Sequence, residues 1–474
     1  MGLLKIIGRR KVVVPGIILT LTVISGVWGV SKPLPAGISY RSEEYRTDNI
    51  TFLLDLTYEK NGDRVSEQTI FKNIYEMIDN AQEYIIIDMF LFNESGANDS
   101  HLPISSDLTN KLTEKKQNNS EIDIVFITDP INTVYGAYDP EHIARLKKSG
   151  IKFIATDLRK LRDSNVIYSS IDRILLRFIR SSVFPPYLPN VFDTKGEKVR
   201  IENYLALLNF KANHRKTVTT EKETLITSAN PHDASSLHTN FAFRIKGDFA
   251  KEVYKSEESV AIMSGEDIGT AINEERSVNN GLYSVTLITE KKIKEEIIRN
   301  IDASEKDSRM DIHMFYLSDR NVINAIKRAS QRGVIINLVL DASKDSFGIE
   351  KNGIPNRQAG YELSKAGVSV RWYKTKGEQF HTKLLVFQNN DTMAVIGGSA
   401  NLTRRNLENF NLETDVLVKA PMDSELAIEI GQYLQMISQN IGGVYTVDFE
   451  EYAEKSRLKW LVYMIQEATG LSTF

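Results

Sequence analysis

At 474 residues the chain exceeds what one hydrophobic core usually organises, so two domains or one large duplicated domain are expected. It is 42% hydrophobic and 26% charged, too apolar for a disordered chain, and its net charge of -3 gives no support to a nucleic-acid partner, which usually demands a basic surface. Cysteine is absent, which excludes disulfides, cysteine nucleophiles and cysteine-bound zinc.

Lys5, Arg9, Arg10 and Lys11 precede an uncharged run of about 19 residues, Val12 to Val30. That is close to the ~20 residues that cross a bilayer as a helix. Trp28 and Lys32 stand where interfacial residues belong, and the basic excess ahead of the run predicts a cytoplasmic N-terminus with the remainder exported. No small-x-small cleavage site follows the run, so an uncleaved anchor is expected in place of a cleaved signal peptide. Ser31 to Gly37, with Pro33 and Pro35, reads as a linker.

Beyond the linker the same pattern occurs twice. Helical apolar spacing over Ile70–Ala81 leads into the strand-like run Tyr84–Phe90, and Ile293–Ala303 leads into Met310–Phe315. A helix and a buried-type strand follow in each copy, Ile122–Ile127 and Val334–Leu340, and both strands run on to an acid, Asp129 and Asp341. Ala144–Ile151 then matches Tyr361–Val368, and a further strand is expected in each copy. Helices alternating with apolar strands predict an α/β fold. The first copy carries roughly 50 extra residues before its motif. There Arg173, Arg177 and Arg180 form a basic stripe beside Ile174, Leu175, Phe178 and Ile179, a pattern that suits a lipid headgroup layer or a plain surface helix. Near the C-terminus Leu458, Leu461, Val462 and Ile465 give an amphipathic helix expected to dock on the body.

Each copy ends in the same chemical signature. His214-Arg215-Lys216 is followed by Ser228-Ala229-Asn230, and His381-Thr382-Lys383 by Ser399-Ala400-Asn401. The alternation in His-x-Lys puts both side chains on one face of a strand. Two histidines can divide nucleophile from general acid, and two lysines can grip the nonbridging oxygens of a phosphodiester. With no carboxylate and histidine cluster of metal-ligand spacing, neither a metal nor another cofactor is expected. The remaining histidines carry less signal. His101, His142, His232 and His238 are expected in loops or at the surface; His313, which mirrors Asp88, is a candidate for the site floor. Lys344 and Arg357, in the loop after the strand ending at Asp341, are candidate substrate contacts.

These residues resemble the phospholipase D superfamily, whose motif reads His-x-Lys, four residues, Asp, with Gly-Ser-x-Asn downstream. The second copy is close, with Gly398-Ser399-Ala400-Asn401 and then Glu413. Departures are Glu221 and Gln388 at the acid position, Thr227 in place of glycine, and Asn240 where the other half has Glu413. The resemblance implies a duplicated α/β fold with the active site between two halves. It also implies a covalent phosphohistidine, with either histidine as nucleophile. His214, Lys216, Asn230, His381, Lys383 and Asn401 become the expected catalytic set, supported by Glu221, Ser228, Ser399 and Glu413.

The expected layout is a basic cytoplasmic segment (1–11), an anchor (12–30), a linker (31–40) and a first half (41–265, with the insertion at about 160–205). A second half (266–445) and a C-terminal helix (446–474) follow. The expected activity is hydrolysis of a glycerophospholipid headgroup, or its transfer as cardiolipin synthases perform it, with a phospholipid, a membrane and water or an alcohol as partners. A nuclease of the same superfamily and a non-catalytic phospholipid-binding envelope protein are the alternatives.

Overall fold

The computed structural model describes residues 2–94, 98, 100–176, 186–190, 196–269, 280–343, 345, 346, 349, 350 and 352–469; at 2–15, 175, 176 and between 345 and 350 it describes backbone alone. Two large sheets dominate. In chain order the strands are β1 (Tyr45–Thr47), β2 (Ile50–Lys60), β3 (Asp63–Glu67), β4 (Tyr84–Met89), β5 (Asp123–Thr128) and β6 (Lys152–Ala155). Next come β7 (Lys216–Thr220), β8 (Glu223–Thr227), β9 (Asn240–Lys246), β10 (Tyr283–Thr289), β11 (Arg309–Met314) and β12 (Ile335–Asp341). A small ribbon, β13 (Asp345–Ser346) and β14 (Ile349–Glu350), is followed by β15 (Ser369–Tyr373), β16 (Lys383–Gln388), β17 (Thr392–Gly398), β18 (Thr414–Pro421) and β19 (Thr446–Asp448).

The first sheet has the order β3-β2-β9-β8-β7-β4-β5-β6, and the second β1-β10-β18-β17-β16-β11-β12-β15-β19. Seven strands correspond position for position, from β2 and β10 at one side to β6 and β15 at the other. The directions agree as well. β4-β5-β6 and β11-β12-β15 are parallel, while the strands carrying the two motifs, β7 and β16, run antiparallel to β4 and β11. β4 is buried at every position, which is why its sequence is apolar on both faces but for Asp88, whose carboxylate Asn213 satisfies.

The sheets face each other across a shared core. Phe52, Ile226, Phe241 and Phe243 of the first pack with Leu384, Val386, Val395 and Val416 of the second. Helices cover the outer faces. The helix Ile70–Asn80 buries Ile70, Phe71, Ile74, Met77 and Ile78 on one side. Asp319 caps the helix Arg320–Gln331 by accepting from the Asn321 and Val322 amides.

Several expectations change. The N-terminal helix runs as one element from Gly2 to Ser31, but the anchor 12–30 falls partly outside the residues with described side chains. Among the described residues no helix is long and apolar enough to cross a membrane. Of the basic stripe, Arg177 and Arg180 lie outside the described residues. Arg173 turns onto the N-terminal helix, bonding Ser25 and pairing with Asp163 at 2.6 Å. The C-terminal helix Arg457–Thr469 docks on the body as expected, but through Tyr463, which is buried and donates to the Ser318 carbonyl, while Leu458, Leu461, Val462 and Ile465 are exposed. A hydrogen-bonded Tyr463 and the Glu467–Ser318 contact hold the helix in place of an apolar seam. His142, His232 and His238 are buried, not superficial, because each ring finds a polar partner: the Phe92 carbonyl, the Ser235 hydroxyl and the Gln379 amide respectively.

Candidate active site

The two motifs enter the site in the same way. β7 and β16 begin at their lysines, which lie opposite Met89 and Met314 on β4 and β11. The residue after each methionine is a phenylalanine. Phe90 packs against the His214 ring at 4.8 Å and lies under Lys216 at 5.2 Å; Phe315 packs against His381 at 4.9 Å and lies under Lys383 at 5.3 Å. His and Lys therefore share one face, and the phenylalanine fixes the distance between them. Each lysine ammonium donates to the carbonyl of its own histidine, Lys216 at 2.7 Å and Lys383 at 2.8 Å. The acids at the ends of β5 and β12 clamp the chain just before each histidine: Asp129 accepts from the Asn213 amide at 2.7 Å, and Asp341 from the Phe380 amide at 2.9 Å.

Segments leading into the two sheets exchange support at the histidines. The backbone amide of His214 donates to the Leu412 carbonyl ahead of β18, and that of His381 to the Thr239 carbonyl ahead of β9, both at 2.9 Å. The side chains follow suit. His214 Nδ1 meets Glu413 Oε2 at 3.0 Å, and His381 Nδ1 meets Asn240 Oδ1 at 3.1 Å. A carboxylate only accepts, and the Asn240 amide is oriented by its Nδ2 donating to the His238 carbonyl, so both Nδ1 atoms carry the proton. Each neutral ring thereby keeps its Nε2 lone pair. Ser399 and Ser228 donate to those same acceptors, Glu413 and Asn240, and also receive the backbone amides of Thr414 and Phe241. Their role is to hold the histidine supports. Gly398 precedes Ser399 where an added Cβ would stand 2.2 Å from the Thr414 carbonyl; Thr227, at the equivalent place, instead bonds the Phe241 carbonyl through its hydroxyl.

The pseudo-symmetry breaks in charge. One histidine faces an anion and the other a neutral amide. Asn406 donates to the second oxygen of Glu413, so the carboxylate is fixed at both ends. Arg215, the middle residue of the first motif, is wholly buried between Glu257 at 3.3 Å and Glu290 of the second half at 2.8 Å. Burial works against its charge, but the two glutamates keep it protonated. Thr382, its counterpart, has only a hydroxyl, which bonds the Thr239 carbonyl. Asn230 Oδ1 accepts from the Leu91 amide at 3.3 Å, whereas Asn401 Oδ1 is buried without a partner among the described residues.

Burial and crowded cations set the electrostatics. Burial lowers His214 to about 4, with Glu413 opposing and Lys216 assisting the shift. His381 lies well below its ordinary value through burial and the neighbouring Lys383. Lys216 is lowered to about 7, and Lys383 is also held well below its ordinary value, again by burial first. Burial would raise Glu413, yet His214, Lys216 and Ser399 hold it below its ordinary value, so it stays ionised. An anion entering this centre relieves the desolvated lysines and favours their charged forms. Attack by a neutral imidazole, cationic restraint of the nonbridging oxygens and proton donation by a second imidazole are what these groups can perform.

Of the ten expected residues, His214, Lys216, Ser228, His381, Lys383, Ser399 and Glu413 form or directly support the two histidine centres, and Asn230 and Asn401 follow Ser228 and Ser399 by two residues. Glu221 stands apart: it sits beyond the far end of β7 and accepts from the Gln82 amide, fastening the chain ahead of β4. Gln388 at the matching place donates to Asp311. His313 is a core residue on β11, bonded to the Tyr433 hydroxyl at 3.1 Å. Arg357 braces the Ala342 carbonyl and stacks on Tyr452, and Lys344 lies outside the described residues. Asn213, which donates to both oxygens of Asp88, and the Arg215–Glu290 link carried no sequence signal as site supports. His238, with its ring 5.9 Å from that of His381, was likewise missed.

A family model described as "Cardiolipin synthase, PLD-like domain" matches residues 297–437. The phosphatidylserine synthase of Haemophilus influenzae Rd KW20 has a similar fold, with a TM-score of 0.55 at 12% identity over 94% of this chain and 96% of that one. Nuc, a phospholipase D family member from Salmonella typhimurium, aligns over 34% of this chain and 97% of its own at 19% identity, with a TM-score of 0.27. Comparison with curated protein sequences gives no match.

Proposed function

We propose that this chain, which belongs to the phospholipase D superfamily, is a phosphodiesterase or phosphatidyltransferase of glycerophospholipids. The observation that carries the proposal is the crossed pair of histidines, each with its Nδ1 held by the other half and its own lysine beside it. We read the two sheets as two copies of one unit that close on this centre.

Glu413 and Asn240 divide the labour. An imidazole that attacks phosphorus through Nε2 becomes a cationic phosphohistidine, and a carboxylate on its Nδ1 stabilises that charge. His214, paired with Glu413, is therefore the nucleophile. His381, supported by a neutral amide, gives up a proton more readily and is the acid. His214 Nε2 bonds to phosphorus as the bond to the leaving oxygen breaks, and His381, which takes up a second proton at Nε2 when the anionic substrate binds, donates that proton to the leaving oxygen. Water or an alcohol then loses its proton to His381 and attacks phosphorus, breaking the P–N bond. Lys216 and Lys383 hold the nonbridging oxygens throughout, with Asn230 and Asn401 beside them, and the scheme needs no metal.

The body is placed at a membrane, outside the cytoplasm, with 12–30 as its anchor. The basic residues ahead of that segment support the orientation, and the exposed Leu458, Leu461 and Ile465 of the C-terminal helix offer a second lipid contact. Full-length protein in mixed phospholipid vesicles is expected to release phosphatidic acid or to exchange a headgroup. Cleavage of single-stranded DNA with lipids left intact would instead point to a nuclease.

A further inference from the structure

A cavity of about 550 Å³ opens where the N-terminal helix ends, between the loop after β6 and the residues just ahead of His214. None of the proposed catalytic residues lines it. Its wall is cationic: Lys32, Arg159, Lys160, Arg173 and Lys211 all face it. Asp157 and Asp172 also line it, so carboxylates match part of that charge. Arg159 pairs with Asp157 at 2.8 Å, while Arg173 and Lys211 share Asp163, at 2.6 and 2.9 Å. The Lys32 ammonium meets a backbone carbonyl, that of Arg159, at 2.7 Å. Trp28 adds an aromatic face, with Lys32 and Arg173 at 5.3 and 5.4 Å from its ring.

The crowding is costly. Burial first, and then Lys211 and Arg173, lower Lys32 to about 8, and burial holds Lys211 below its ordinary value as well. An anion among these groups would be favoured by each of them. The cavity's position says what kind of anion. Upstream of Trp28 the helix exposes Ile17, Leu19, Val23, Ile24 and Val27. With that segment in lipid, Trp28 and Lys32 come to lie at the interface, at the depth of lipid phosphates.

We propose that this cavity binds the phosphate of an anionic lipid headgroup, at a site separate from the phosphoryl-transfer centre. The depth argument rests on the anchor reading; the cationic cavity does not. Lys211 is three residues ahead of His214, so an occupied cavity also steadies the loop that delivers that histidine.

The test uses the full chain with His381→Ala, purified in detergent, with retained lipid counted by native mass spectrometry. Phosphatidylglycerol is expected to be retained about tenfold over phosphatidylcholine. Lys32→Gln with Lys160→Gln should bring the ratio close to one, and Lys32→Arg with Lys160→Arg should restore it; thermal unfolding checks that both fold. Lys216→Met with Lys383→Met should leave the preference intact, and its loss there would place the lipid at the active centre and overturn the proposal. Titration with inorganic phosphate separates the two sources: phosphate binding without a lipid preference would assign the cavity to the free ion and overturn the lipid claim. Equal retention of both lipids without phosphate binding would overturn the site altogether. Flotation with phosphatidylcholine vesicles tests membrane attachment apart from the cavity, so failure to float with the preference intact would sink the anchor and leave the cavity standing.

Discussion

Replacing Glu413 with glutamine separates the charge of this side chain from its shape. Glutamine keeps an oxygen for the His214 Nδ1–H, 3.0 Å away, and for the Ser399 hydroxyl; it turns an amide donor toward Asn406 and removes the negative charge facing the proposed phosphohistidine. Two unit charges about 4 Å apart attract by roughly 4 kcal/mol at an effective dielectric of ~20. The surviving hydrogen bond retains about 1 kcal/mol of this. A barrier raised by about 3 kcal/mol slows formation of the intermediate about 100-fold. The assay is single-turnover cleavage of a short-chain phospholipid with mass spectrometry of the modified peptide. The pH profile gives a second reading. His214 stands at about 4 with Glu413 as the main influence raising it. Losing an anion disfavours the protonated ring, so the acid limb of kcat/KM moves to lower pH in Glu413→Gln. Asn240→Ala, which removes a neutral support from the acid, is expected to cost about tenfold. A Glu413→Gln rate within about twofold of wild type, or phosphate trapped on His381 instead of His214, would refute the assignment.

Three further outcomes follow from the same geometry. Arg215→Met leaves Glu257 and Glu290 buried without their cation, so stability should fall by about 3–5 kcal/mol, read as a lower Tm and denaturation midpoint. Lys216 stands at about 7 in the free protein, so kcat/KM should decline as pH rises through that value, because the uncharged amine grips phosphate poorly; a flat profile from pH 6 to 9 would contradict this. Leu461→Gln with Ile465→Gln removes apolar surface that is already exposed, so vesicle binding should weaken about tenfold with an unchanged Tm.

The sequence made the strands flanking the motifs visible because they are largely buried. Tyr84–Met89 is buried throughout and Ile335–Asp341 from Leu338 on, and the acids after β5 and at the end of β12 mark the chain's arrival at the site. The paired histidines and lysines were legible because each motif is contiguous. Glu413, Ser228 and Ser399 were legible as supports through the resemblance, but which histidine each serves was not, because Glu413 serves His214 across 199 positions and Asn240 serves His381 across 141. No local pattern encodes an exchange between halves. Glu221 shows the converse: its place in a motif drew it toward the site, while antiparallel pairing of β7 with β4 carries it to the other end of the strand. The C-terminal helix misled for a different reason. Periodicity locates an apolar face but not its partner, and here tyrosine and glutamate hydrogen bonds dock the opposite face.

The central claim is lipid phosphodiester chemistry at a shared two-histidine centre, and product analysis on vesicles tests it most directly. Wild-type protein, His214→Ala and His381→Ala would each be incubated with mixed phospholipid vesicles, with lipids identified by mass spectrometry. The expected result is phosphatidic acid or a headgroup-exchanged lipid from wild type and neither from the two variants. Intact lipids with wild type, or products that persist in both variants, would contradict it.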